Sequence, residues 1–305
     1  YVGGFAIKGA SFNGIGYDNE PASLVFYKDG APFVKASALS MTINEKGAQA
    51  VECAVVMYLS EEDSIFHPGL EMRYVISEEG KGIMTLMRSA DGLAQAPFKN
   101  SYHDLDMYVD ELIWDKSDPN LTLSWHKENY LTTRQFARFE SQNYFSERVY
   151  NQIQGMNAKH PLVAIYQHAY RYDIEVIPVG DASTAMGFTT EQALPIILDL
   201  ANQGFLTYNK NKKTIVLQPK TKKYIDARAG KTDYDHIVFT SNFVELEYPD
   251  TLVEGNPRKI DKVGLKNYQR AKKLNARKKA TPNFGTINLK SFDMYLNEVE
   301  PIELS

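Results

Sequence analysis

Apolar and polar positions alternate over residues 1 to about 130, where β-branched and aromatic side chains take turns with polar ones and Gly, Asn and Asp pairs interrupt the runs. That is the pattern of half-buried strands joined by turns. In "ASLVFYKDGAPFVKASALSMTI" two strand-like runs flank Lys28, Asp29 and Gly30, and Asp-Gly suits the left-handed backbone of a tight hairpin. "LEMRYVISEEGKGIMTLMRS" repeats the arrangement with Glu79 and Gly80 at the corner. The period then changes. "HPLVAIYQHAYRY" sets Leu162, Ile165, Tyr166 and Ala169 at helical spacing behind Pro161, which fits a first helical turn. A short helix over 181–186 is predicted to end at Gly187, and Thr189 or Thr190 to cap a longer one over about 191–203, with Leu194, Ile197, Leu198 and Ala201 on one face and Gly204 at its end. Pro195 is read as belonging to the first turn of that helix. "FLTYNKNKKTIVL" predicts a hairpin, "KTKKYIDARAGKTDYD" a closing helix and exit loop, and strand patterns return in "HIVFTSNFVELEY" and "TINLKSFDMYLNEV".

The order helix, short helix, glycine turn, longer helix and hairpin, from Lys159 to about Ala229, resembles the winged helix-turn-helix superfamily. That resemblance implies a local fold, and either DNA reading or protein contact as its use. The segments "SIFHPGLEMRY", "SYHDLDMYVDELIW" and "NYFSERVYNQIQGM" also resemble a family of very large, uncharacterised bacterial envelope proteins rich in β-structure. The expected fold class is α+β, mainly a β-rich scaffold with an inserted winged-helix domain. The division is a β-rich domain over 1–145, the winged helix over 146–235, and a strand-containing segment over 236–305 that continues the scaffold. "LDMYVDEL" at 105–112 and "FDMYLNEV" at 292–299 match as identical or similar pairs, which would make the scaffold a repeating one.

Composition narrows this only in part. The 305 residues are 43% hydrophobic and 24% charged, enough for two or three packed units of a globular protein. The longest apolar runs, "LPIIL" and "CAVVMYL", fall far short of the ~20 residues that span a bilayer. Tyr1 is not followed by a leader pattern and "NEVEPIELS" still reads as strand, so a piece of a longer polypeptide is expected. Cys53 is the only cysteine, which excludes an internal disulfide and a cysteine zinc site.

Charge is distributed unevenly. The net charge is −4, yet residues 258–279 hold ten basic residues and one acid, leaving 24 basic and 37 acidic residues elsewhere. From Asp173 to Asn209 there is no Lys or Arg and there are five acids: Asp173, Glu175, Asp181, Glu191 and Asp199. A DNA reader draws most of its affinity from cations on phosphate, so the helix over 191–203 disfavours that role despite Gln192 and Asn202. The wing supplies Lys210, Lys212 and Lys213, with Lys220, Lys222 and Lys223 close behind. These three wing lysines, with Arg270, Lys272, Lys273, Arg277, Lys278 and Lys279 of the basic segment, form the candidate contact surface.

No motif for an active site is present. The chain lacks a Gly-x-Ser-x-Gly elbow, a phosphate loop and a His-Glu-x-x-His helix. "HDLD" offers His103, Asp104 and Asp106, but in a strand His103 and Asp104 face opposite ways, and a solvent-facing acid pair at 104 and 106 is expected. His67 in "FHPG" is read as a turn residue, His160 and His168 as structural, and Cys53 as a buried, inert thiol. The sequence thus predicts a non-catalytic structural or protein-interaction segment of an envelope protein in the periplasm or at the outer membrane, with no cofactor or metal. The alternatives are a cytoplasmic nucleic-acid-binding regulator using the wing and basic segment, and a carbohydrate-active β-protein relying on a carboxylate pair in a cleft.

Overall fold

A computed structural model describes residues 1–9, 11–18, 20–77, 80–88, 92–124, 136–242, 283–296 and 299–301. The basic segment 258–279 lies outside them, as does Glu79. In the first half of the chain the strands are β1 Gly4–Lys8, β2 Ser11–Ile15, β3 Ala22–Lys28, β4 Ala31–Ala38, β5 Ser40–Asn44, β6 Gly47–Tyr58, β7 Ser64–Ile76 and β8 Gly82–Met87. A 3-10 turn over Gly92–Gln95 precedes β9 Phe98–Asn100, β10 Leu105–Tyr108, β11 Glu111–Asp115, β12 Asn120–Ser124 and β13 Phe136–Ser141. The hairpin predicted at Lys28–Gly30 forms as read: Asp29 and Gly30 both take positive φ, at 52° and 83°, the backbone that matches the twist of the flanking strands.

The long hairpin of β6 and β7 organises the scaffold. Its register slips twice, between Ala50 and Cys53 and between Cys53 and Val55. Glu52 takes φ 49° at the first slip, and Pro68 and Gly69 fall at the second. Bulges of this kind bend strands and let them pass from one sheet to another. One half of the hairpin pairs with β5 and β8, continuing to β2 and β1 on one side and to β11 and β12 on the other. The other half pairs with β4 and β9, continuing to β3 and, through β10, to β13. "FHPG" is therefore a strand segment with a bulge rather than a turn. A proline breaks the ladder in either setting, so the sequence alone does not separate the two. All these strands belong to one hydrogen-bonded sheet, and the residues of both its branches share one core that includes Val34, Met57, Met72, Leu86, Phe98, Met107, Leu112, Trp114, Leu123 and Phe139. Phe33 meets Trp114 across it at 4.6 Å. Cys53 is buried there, and burial pushes its thiol up to about 12.

After β13 the chain leaves the sheet. It forms helix α1 Glu147–Gln154, α2 Pro161–Tyr172, strand β14 Val176–Pro178, α3 Val179–Met186, α4 Thr190–Asn202, strands β15 Leu206–Asn209 and β16 Thr214–Leu217, and α5 Pro219–Arg228. It returns as β17 Val238–Asn242, which pairs with β13 itself. Exit and entry are clamped together: Ser141 Oγ donates to Asp235 Oδ2 at 2.8 Å and the amide of Phe145 to the Asp235 carbonyl. Strands β18 Asn283–Asn288, β19 Met294–Leu296 and β20 Val299–Pro301 then extend the two branches of the sheet, β18 on β12 and β20 on β17. The two "DMY" segments both form the return strand of a hairpin, in β10 and in β19, one on each branch of the sheet. The described residues make a β-rich α+β fold.

The helical segment has its own core, containing Leu162, Ile165, Ile177, Ala182, Ile197, Leu200, Phe205, Ile215 and Tyr224, with Leu93 of the 3-10 turn packed against it. Its local signals act as read. Gly187 ends α3 in the left-handed conformation, and Thr189 and Gln192 form a reciprocal capping box on α4. Pro195 is the exception: it sits in the helix interior, six residues past the cap. The carbonyl of Glu191 consequently has no amide partner at position 195. Strands β14, β16 and β15 make a small antiparallel sheet.

Candidate functional site

The seam between the helical segment and the sheet holds three buried charged side chains. Asp106 on β10 and Glu140 on β13 are directly opposite in register, and two carboxylates in that relation repel. A cation answers them from above. Lys220, the second residue of α5, places Nζ 2.6 Å from Asp106 Oδ2, 3.2 Å from Glu140 Oε2 and 3.0 Å from the Gln203 carbonyl. The three ammonium protons thus have three acceptors. A lysine in a helix's first turn opposes the helix dipole, so its position there follows from the tertiary pair and not from local helix chemistry. All three side chains are buried, Asp106 completely. Burial alone would pull the Lys220 ammonium down, but Asp106, then Tyr108 and Glu140, outweigh it and hold it well above the usual lysine range.

Further contacts close the seam. Arg138 Nη2 pairs with Glu140 Oε1, and the Arg138 and Arg88 guanidinium groups lie 5.9 and 5.6 Å from the centre of the Tyr108 ring. Burial, followed by the Glu140 charge, raises the Tyr108 phenol. Gly204, which follows α4, has φ 80°, and a Cβ there would come 3.0 Å from Asp106 Oδ2. Glycine thus both takes the left-handed turn and lets the chain close on the carboxylate. Lys99 on β9 donates to Gln218 Oε1 at 2.7 Å, and its burial brings it down to about 8. Asn202 Nδ2 reaches Gln95 Oε1 at 3.4 Å. Beneath the 3-10 turn the His67 ring is fully enclosed: Nδ1 accepts from the Gly69 amide at 3.1 Å, which leaves Nε2 to donate to the Ala96 carbonyl at 2.8 Å. Burial, with the Arg88 charge adding to it, pulls this imidazole down to about 3.

Beside the triad a cleft of about 410 Å³ opens between α1, α4 and the sheet. Lys220 and Glu140 lie at its base, Arg138 and Tyr108 on the sheet side, Arg148 and Gln152 on α1, and Asp199 and Asn202 on α4.

This geometry corrects several expectations. Asp104 and Asp106 are not a solvent-facing pair: His103 and Asp104 belong to a turn, Asp104 with φ 52°, and Asp106 is wholly buried under the helical segment. A sheet face covered by another part of the chain leaves the same alternation as one facing water. Lys220 is not exposed for phosphate, and Lys222 pairs with Asp226 one turn on at 2.6 Å. The three wing lysines are exposed. Two of them meet carboxylates of the scaffold in ion pairs that stay open to solvent: Lys210 Nζ lies 3.0 Å from Glu52 at the β6 bulge and Lys212 Nζ 2.5 Å from Glu20. Lys213 is exposed and has no ion pair among the described residues. Arg270, Lys272, Lys273, Arg277, Lys278 and Lys279 fall outside the described residues. His160 stacks on Tyr150 at 3.9 Å and His168 lies 4.8 Å from the Tyr172 ring.

Among the described residues no three His, Cys, Asp or Glu side chains are grouped to hold a metal, and no helix is long and apolar enough to cross a membrane. Comparison with protein-family models, with curated proteins and with solved structures returned no match.

Proposed function

We propose that residues 161–217 form a winged helix seated on a β-rich scaffold, and that it is a structural and protein-contact module rather than a DNA reader. The element order α2, β14, α3, α4, β15, β16, with the three strands in one small sheet, supports the winged-helix assignment. The observation that carries the functional reading is the direction of its two DNA-type surfaces. Lys210 and Lys212 at the tip of the β15–β16 hairpin pair with Glu52 and Glu20 of the scaffold, and the Asp199 and Asn202 face of α4 overlooks the cleft against the sheet. A duplex would have to compete with these two carboxylates at the tip and with the facing sheet at α4. What remains outward on α4 includes Glu191, which repels phosphate. The role is non-catalytic, since the buried carboxylates are committed to holding the segment in place. The resemblance in sequence supports reading the module as part of a longer β-rich protein of the bacterial envelope, with protein partners.

The test is a fluorescence-anisotropy titration of the chain with a mixed-sequence duplex at about 50 and 200 mM salt, beside Lys210/Lys212/Lys213→Glu. No salt-sensitive binding is expected in either protein. Binding that weakens steeply with salt and disappears in the variant identifies the wing as a phosphate contact, and the nucleic-acid reading then replaces this one.

A further inference from the structure

The charges around the cleft are not all consumed by the seam. Lys220 and Arg138 offset Asp106 and Glu140. Arg148 on α1 and Asp199 on α4 remain, one of each sign, lining the same cleft. They are not joined to each other, and neither forms an ion pair among the described residues. Asp199 accepts only from Gln203 Nε2, at 2.8 Å on Oδ2, and its carboxyl is raised by partial burial. Opposite charges that overlook one cavity without closing on each other leave a cavity with a positive and a negative wall. Between them, Asn202 Oδ1, an acceptor, and Arg138 Nε, a donor, are shielded from water and have no partner, while Val149, Ile153 and Phe205 supply an apolar lining.

We propose that this cleft binds a short oligopeptide with free ends, its carboxylate at Arg148, its ammonium toward Asp199, and its amide groups at Asn202 and Arg138. The volume, about 410 Å³, lies in the range of small-ligand sites and is roomy for a single amino acid. A peptide of two to four residues holds its end charges farther apart than a free amino acid does, which suits opposite charges that do not close on each other. The site is independent of the wing and of whether the chain binds DNA.

The experiment is isothermal titration of the full chain with trialanine and with N-acetyl-trialanine amide, repeated with Arg148→Gln and Asp199→Asn. Both positions are exposed, so the melting temperature of each variant is expected to match the parent and serves as the folding control. Trialanine is expected to bind, and capping both ends to weaken it by at least about tenfold. Each single variant is expected to cost a similar factor for the free peptide and none for the capped one. No heat of binding for trialanine at about 10 mM overturns the proposal, as does equal binding of the capped peptide or indifference to both variants.

Discussion

Replacing Lys220 by methionine is expected to cost about 3–5 kcal/mol of stability, the range found when one member of a buried ion pair is removed and its partners stay buried. Asp106, fully enclosed, would keep a charge with no cation in contact, because Arg138 reaches only Glu140. At about 2–4 °C per kcal/mol for a domain of 150–250 residues, the melting temperature should fall on the order of 10 °C. The double variant Lys220→Met/Asp106→Leu should recover at least half of the loss, since it removes the stranded carboxylate and leaves Glu140 to Arg138. The sign with pH follows from the raised folded pKa of Lys220. Its contribution is complete below the ordinary lysine pKa of about 10.5 and is lost only as pH climbs through the higher folded value, so the Lys220→Met deficit should be constant across neutral pH. Chemical denaturation of the three proteins measures this, and a Lys220→Met deficit under about 0.5 kcal/mol would mean that the triad does not hold the seam.

The second large effect is acid sensitivity from His67. Its folded pKa, about 3, lies below the ordinary value of about 6.5, so the unfolded chain takes up the proton first. Stability from this residue is present above pH 6.5 and is lost as pH falls toward 3, at about 1.4 kcal/mol per unit. Between pH 6.5 and 5, where most carboxylates have yet to titrate, the stability of His67→Gln should fall less than that of the parent by about 2 kcal/mol. Parallel slopes for the two proteins would show that the imidazole is reachable by a proton in the folded state. His67 holds the Ala96 carbonyl at the end of the 3-10 turn whose Leu93 packs into the helical core. Acid should therefore loosen the seam before it loosens the scaffold core.

Local structure was legible in the sequence wherever it depends on neighbours in the chain. Asp29 and Gly30 announce their hairpin, Thr189 and Gln192 their cap, Gly187 and Gly204 the ends of their helices, and the breaks between periods 2 and 3.6 divide scaffold from helices. The seam was not legible, because its members lie 114 and 80 residues apart and each has an innocent local reading. Asp106 looks like the outward position of an alternating strand, and Lys220 like one more lysine after a basic hairpin. One signal was present: Lys220 stands in a helix's first turn, where a cation is locally unfavourable. Helix α1, which forms one wall of the cleft, was used only for its resemblance and not read as a helix. The corner at Pro68 looked like a turn because a bulge and a turn use the same residues.

The most direct measurement of whether the helical segment is fixed to its scaffold is native-state hydrogen exchange under increasing urea. Amides of Leu200, Phe205 and Ile215 should share one opening free energy with Met107 on β10 and Phe139 on β13, and in Lys220→Met the first group should open at a lower free energy than the second. If the helical amides already exchange through a separate, lower opening in the parent protein, and Lys220→Met leaves it unchanged, the segment is a hinged appendage and not a seated module.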